Sequence, residues 1–453
     1  MIDPVIILVT GVVVLLILIL VLKLNAFIAL ISVAMLVSLL APGDFSEKIG
    51  RVAGAFGSVV SGIGIVIALA AVIGKCLMES GAADRIVRAF LKALGEKRAA
   101  GALLGSGFVL SVPVFFDTVF YLLVPLARSL WTRTKKNYIL YILAIAAGAA
   151  LTHTLVPPTP GPLYMAEAFK IDLGLMIGVG LLIATPTAAL GLLVCQFLNR
   201  KLDIPMRPYG DESEPEPIPD DQLPSLWFSL LPVILPVVLI TGNTLSNAVD
   251  ASDAIKSVTA VLGNPNLALL ISAGIAMILL ATRRHLTIKE LADKVERALM
   301  SGGIIILVTA AGGAFGAMLR ASGLQDSVKG WIGSGGEGLG LSVLLTAFGV
   351  AALIKFAQGS GTVSMITTAS MFSAMGLSAE VLGFHPVYLA TAIGSGSLVA
   401  DWMNNSGFWI VARMSVLTET ETLRSWSILV ALLGTIGLGF TLIFATIIPL
   451  VQG

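Results

Sequence analysis

Apolar stretches close to the 20 or so residues needed to cross a bilayer recur along this chain from Val5 to Leu450, and no other feature restricts the fold as strongly. In hydrocarbon every backbone N–H and C=O must find a partner inside the protein, so such a chain folds as a bundle of spanning helices. Composition agrees, because only 12% of the 453 residues are charged, against about 25% in soluble chains. A soluble enzyme is excluded. Lys plus Arg number 28 and Asp plus Glu 27, a net charge of +1, so there is no basic footprint for nucleic acid. Cys76 and Cys195 lie inside apolar runs with no histidine at a metal-ligand spacing and read as small buried hydrophobes. No metal or cofactor is implied. The first run, Val5 to Leu22, has no basic residue before it and no small-residue cleavage pattern after it, so it is expected to stay as a helix and not to be removed as a signal peptide.

Full-length runs lie at about 4–22, 24–41, 58–78, 138–170, 171–198, 227–242, 266–281, 300–319, 386–413 and 425–450, which predicts ten crossings. Two more, about 99–130 and 339–375, are interrupted midway by Pro or Gly clusters, a pattern suited to re-entrant hairpins. Basic loops stay cytoplasmic. Arg85, Arg88, Lys92, Lys97 and Arg98 precede the first hairpin, and Arg128, Arg133, Lys135 and Lys136 follow it, so the hairpin should rise from the cytoplasm. Both termini then fall on the periplasmic side. An acidic, proline-rich stretch at 211–224 (DESEPEPIPDDQLP) divides the chain and should be a solvated cytoplasmic linker between residues 1–210 and 225–453.

The halves align with each other. GKCLMESGAAD at 74–84 matches GAMLRASGLQD at 316–326 at five positions, an offset of 242, and Leu143, Ala144, Ala146, Gly148 and Gly161 match Leu389, Ala390, Ala392, Gly394 and Gly407 at an offset of 246. Five crossings plus a hairpin per half make the second copy inverted, since five is odd. Inverted repeats with broken helices point to secondary transporters.

Polar residues enter the apolar runs at four places. The first hairpin tip is SVPVFFDT at 111–118, and the next run breaks at THTLVPPTPGP, 152–162; their second-half partners are QGSGTVS at 358–364 and DWMNNSG at 401–407. Irregular backbone at membrane depth is tolerated only around a protein-lined cavity. Half-helices starting at Gly161 and Gly407 would aim unpaired N–H groups and positive dipole ends into it, a natural seat for a small carboxylate. Pro162 suits a first helical turn, and Asn405 or Ser406 can cap the other half-helix. Ser111, Thr159, Ser360, Gly361, Thr362, Asn404, Asn405 and Ser406 would read the rest of a polyhydroxy chain by hydrogen bonds. Asp117, Asp401 and His153 are ionisable groups inside the membrane and so candidates for proton coupling; the carboxylates could instead cap half-helices, and a neutral His153 could bond a backbone carbonyl. Lys355 could attract an anion, pair with an acid or snorkel.

At these four segments the sequence resembles the gluconate permease (GntP) family of the ion-transporter superfamily. The motifs are PVFFD at 113–117, PPTPGP at 157–162, AQGS at 357–360 and NNSGFW at 404–409. The resemblance implies a polytopic all-α protein of the bacterial inner membrane. It also implies proton-coupled uptake of gluconate or a related hydroxy acid, and a homodimer set in lipid in which a transport domain slides elevator-like against a scaffold. Gluconate members typically carry Glu where Asp117 stands, His at Thr159, Ser at Asp401 and Asp at Asn405, which leaves glycerate, 3-hydroxybutyrate and D-serine open as substrates. Na⁺ is the rival coupling ion. A channel or an intramembrane enzyme is a remote alternative, because alternating access accounts for an inverted repeat and catalysis does not.

Overall fold

The computed structural model describes residues 3–208, 219–324, 339–399 and 401–451, and among them all regular structure is helical. The first half comprises α1 (Pro4–Leu16, continued by a π turn over Ile17–Val21), α2 (Ala26–Leu40), α3 (Gly50–Glu79), α4 (Ala82–Leu94), α5 (Ala99–Leu110), α6 (Phe116–Thr134), α7 (Tyr138–Leu155), α8 (Pro160–Ala168) and α9 (Leu173–Leu202). The second comprises α10 (Leu226–Ala248), α11 (Asp253–Leu262), α12 (Pro265–Arg284), α13 (Ile288–Ala321), α14 (Leu339–Gln358), α15 (Gly361–Ala374), α16 (Ala379–Leu382), α17 (Val387–Gly396), α18 (Ser406–Met414), α19 (Glu419–Thr422, then a π turn over Leu423–Ser427) and α20 (Ile428–Ile447).

Eight of the described helical segments are long and apolar enough to cross a bilayer. Seven of them coincide with expected runs. The eighth, Gly340–Gln358, is long enough to span by itself, although the sequence pattern placed it as one arm of a hairpin. The expected spans at 4–22 and 24–41 are shorter apolar helices, and the run at 386–413 is divided into α17 and α18. Amphipathic α4 and α11 escape a search for apolar runs altogether, since each buries one stripe at most. Of the expected linker, residues 211–218 lie outside the described residues. Its end is not fully solvated: Asp220 pairs with Arg88 of α4, and Leu223 is buried.

Packing follows the same order in both halves. α5 lies on α7 and α7 on α9, as α14 lies on α17 and α17 on α20, while α9 meets α20 across the halves. Across the halves α8 packs on α15, and α18 on α6. Two of these contacts need glycine. A Cβ at Gly148 of α7 would stand 2.1 Å from the Leu104 carbonyl of α5, and one at Gly396 of α17 would stand 2.3 Å from the Phe348 carbonyl of α14, so any side chain would push the helices apart. α17 is buried at every residue, and α7 at every residue but His153. α3 and α13 pack on each other to one side.

Candidate functional site

Four helices begin close to one another because four chain interruptions meet. α6 starts after the turn at 111–115, α8 after the turn at 156–159, α15 after Gly359 and Ser360, and α18 after the segment 401–405. Between them lies a cavity of about 330 Å³. Its wall is formed by the first residues of α6 (Phe116, Asp117, Thr118), α15 (Gly361, Thr362) and α18 (Ser406, Gly407), with His153, Lys355, Ser360, Ser397, Asp401, Asn405 and Trp426 among the rest.

Nine of the thirteen residues expected at the site line this cavity: Asp117, His153, Ser360, Gly361, Thr362, Asp401, Asn405, Ser406 and Gly407. The other four, Ser111, Thr159, Gly161 and Asn404, are not on its wall, and each has a local reason. Ser111 is fully buried in the first tip, its hydroxyl without a partner among the described residues. Thr159 donates its hydroxyl to the Val156 carbonyl at 2.6 Å. Gly161 faces Met365 of α15, whose Cε would lie 2.2 Å from an added Cβ. Asn404 donates its amide to the Phe356 carbonyl at 2.7 Å, and its own carbonyl would stand 2.2 Å from a Cβ at Gly359. Thr159 and Asn404 therefore brace the broken segments, Gly161 lets α8 approach α15 closely, and the Ser111 hydroxyl bonds no described residue.

The half-helices start one residue earlier than expected, at Pro160 and Ser406. That shift matters for α8. The first N–H groups of a helix have no intrahelical acceptor, but Pro160 and Pro162 carry none, and the Leu163 N–H bonds the Thr159 carbonyl. Only Gly161 is left, and it faces Met365. α15 and α18 are better supplied. Ser360 takes the Val363 N–H at 3.3 Å, which leaves Gly361 and Thr362 at the cavity wall. Asn405 is the N-cap of α18 but makes no side-chain cap bond, and its amide goes to Asp401. Helix-start donors at the cavity wall therefore come from α15, α18 and α6, whose Phe116, Asp117 and Thr118 also line it, and not from α8.

The two intramembrane carboxylates differ in environment. Asp401 accepts Lys355 Nζ at 2.8 Å and the Asn405 amide on Oδ2, and Trp426 Nε1 at 3.1 Å on Oδ1. Lys355 also donates to the Gly359 carbonyl, and the side chains of the pair are only 3% and 6% exposed. Lys355 thus pairs with an acid and does not snorkel. Asp117 makes no hydrogen bond or ion pair with any described residue. Nearby, His153 Nδ1 is buried without a partner among the described residues, and its ring meets Phe115 edge-on at 6.3 Å.

Residues 3–447 match the profile described as GntP family permease. The chain belongs to the GntP permease family. Relatives include an uncharacterized permease of Haemophilus influenzae, 34% identical over 98% of this chain and 92% of that protein. The Gnt-II system L-idonate transporter of Escherichia coli is 32% identical over 96% and 97%, and the gluconate permease of Pseudomonas aeruginosa 31% over 94% of each. Two solved structures share the fold at 14% identity: the YdaH transporter of Alcanivorax borkumensis, with a TM-score of 0.64 over 94% of this chain and 98% of that one, and Neisseria gonorrhoeae MtrF, with 0.61 over 94% and 95%. This GntP permease is a multi-pass membrane transporter and not an enzyme.

Several contributors to the site carry no signal in the motifs. Trp426 reaches Asp401 from 25 positions further along the chain, and no local pattern marks it. Arg128, counted in the sequence as a basic flank, is fully buried; it donates to the Tyr138 hydroxyl at 3.3 Å and to the Arg207 carbonyl at 2.9 Å. Tyr138 then donates to the Ser415 carbonyl at 3.0 Å, and Arg207 to the Val416 carbonyl at 3.1 Å and to both oxygens of Glu421. The far end of α18 is fixed by this network, while its first residues face the cavity.

Proposed function

We propose that this permease is a proton-coupled symporter that imports gluconate or a closely related small hydroxycarboxylate across the bacterial inner membrane by alternating access. The observation that carries the reading is the charge count in the cavity. Lys355 and Asp401 cancel, so the unpartnered Asp117 sets a formal charge of −1. A carboxylate entering beside it would be repelled, by about 4 kcal/mol for unit charges 4 Å apart at a typical effective dielectric. A proton on Asp117 removes that repulsion, so anion and proton bind better together than apart, which is the thermodynamic content of symport. The anion then sits between the first turns of α15 and α18, whose N–H groups at Gly361, Thr362, Ser406 and Gly407 need no buried cation to hold it. Thr362, Ser360 and Asn405 are close enough to the same space to read hydroxyls. Sugar acids are favoured over shorter acids because relatives matching nearly the whole chain are named for gluconate and L-idonate.

The paired order of helix contacts supports reading residues 1–210 and 225–453 as inverted repeats, with α5–α6 and α14–α15 as the hairpins and both termini periplasmic. We take the protein to work as an elevator-like homodimer in the lipid bilayer. Cysteines placed at Thr134 and within 211–218 should then be labelled only from the cytoplasm and one at Asp250 only from outside; labelling of Thr134 and 211–218 from opposite faces contradicts the inversion. The central test is uptake into proteoliposomes over a panel of sugar acids and short hydroxy acids. A pH gradient, acid outside, should drive uphill accumulation of gluconate or L-idonate. Accumulation that follows a sodium gradient and ignores pH would assign the coupling to Na⁺ at Asp117, and equilibration without accumulation would make the protein a channel.

A further inference from the structure

A second chamber, of about 240 Å³, adjoins the central cavity, and Phe115 and Thr118 belong to the walls of both. It opens where α3 and α13 cross near the first hairpin tip. α3 lies beside that tip at Gly74, where an added Cβ would be in ordinary contact, 3.5 Å from the Pro113 carbonyl. Lys75 of α3 and Arg297 and Ser301 of α13 complete the wall.

The charges are not balanced within it. Lys75 is bonded to Glu79 at 2.8 Å, and Glu79 also takes Lys294, so one carboxylate serves two ammonium groups. The Arg297 guanidinium has no partner among the described residues. Ile305, on the same helix as Arg297, lines the central cavity, and eight residues of α-helix span about 12 Å. A cationic chamber thus stands about two helical turns from the cavity proposed to hold the anion, with one aromatic ring and one hydroxyl between them.

We propose that this second chamber is a transit site for the anionic substrate, whose carboxylate exchanges between Arg297 and the central cavity past Phe115 and Thr118. The proposal rests on the carboxylate reading above. Arg297 suits the role because a guanidinium offers planar donors to a carboxylate yet is weakly hydrated, and because an exposed pair releases its ligand easily.

The test is a charge-selective labelling experiment on the full-length protein in detergent. Ser301→Cys is introduced after Cys76→Ala and Cys195→Ala, and is reacted with methanethiosulfonates bearing a sulfonate, a trimethylammonium or a neutral hydroxyethyl group. Relative to free thiol, the sulfonate should react at least about threefold faster than the cation, from a unit charge nearby in a partly screened site. Arg297→Gln should erase the preference and Arg297→Lys should keep most of it. No reaction with the neutral reagent, or a preference unchanged by Arg297→Gln, overturns the proposal. Gluconate should slow the sulfonate reagent. If gluconate is transported but does not compete, the transit role fails while the transport reading stands. If the charge preference is present but no carboxylate of the uptake panel is transported, the chamber is an anion site and the transport reading is what fails.

Discussion

The two halves bring matching pieces to the cavity and use them in opposite ways. In the second half, the tip between α14 and α15 and the break before α18 are tied together: Lys355 bonds Asp401 and the Gly359 carbonyl, Asn405 and Trp426 fill the remaining positions on the carboxylate, and Asn404 and Trp402 both reach the Phe356 carbonyl. In the first half, Asp117, His153 Nδ1 and the Ser111 hydroxyl have no such partners. A buried ion pair with all its hydrogen bonds made is rigid and costly to disturb. A carboxylate without partners can exchange a proton or cation with the cavity at no structural cost. One half therefore builds the frame of the site, and in the proposed mechanism the other supplies the group that changes state.

The largest effect should come from breaking the frame. Lys355→Met leaves the Asp401 carboxylate buried without its cation and should destabilise the protein by about 3 to 5 kcal/mol, seen as a lower thermal midpoint in detergent. Adding Asp401→Asn to that variant should recover part of the loss, because the unpaired charge is gone. If the double variant melts lower than the single, the two residues do not act as a pair. Next in size, Asp117→Asn removes a titratable group that holds nothing in place. The thermal midpoint should stay within about 0.5 kcal/mol of the parent, as for other substitutions that break no contact, while pH-driven accumulation falls at least about tenfold, roughly 1.4 kcal/mol. Undiminished proton-driven uptake in this variant would remove Asp117 from the coupling and with it the division of labour between the halves.

Much of this contrast is invisible in the sequence. The spans were legible because hydrocarbon admits few alternatives, and the four interruptions were legible because proline, glycine and clustered polar residues are costly in a spanning helix. Which polar group faces the cavity depends on the rotation of each helix about its axis, and that is set by partners distant in the chain. Gly161 is turned away from the cavity by Met365, some 200 residues later, and Asp401 is completed by Lys355 and Trp426. Arg128 reads as a surface charge by its position beside a loop, yet the Tyr138 and Arg207 contacts enclose it. Amphipathic α4 and α11 were missed for a simpler reason, since neither contains a continuous apolar run.

The smallest expected effect separates a binding group from a framing group within the second half itself. Thr362 and Asn404 flank the same cavity in sequence terms, but Thr362 lies on the cavity wall with no side-chain partner among the described residues, whereas the Asn404 amide is committed to Phe356. Thr362→Ala should then raise the substrate dissociation constant about two- to tenfold, the worth of one hydrogen bond, and leave the thermal midpoint alone. Asn404→Ala should do the reverse: it strips a partner from the Phe356 carbonyl and should lower stability by about 1 kcal/mol, with little change in affinity once the protein is folded. Measuring both quantities on both variants matters, because a loose frame also weakens binding and affinity alone would confuse the two roles. If Asn404→Ala lowers affinity as much as Thr362→Ala at unchanged stability, the Phe356 bond is given up when substrate binds, and Asn404 belongs with the groups that read the ligand.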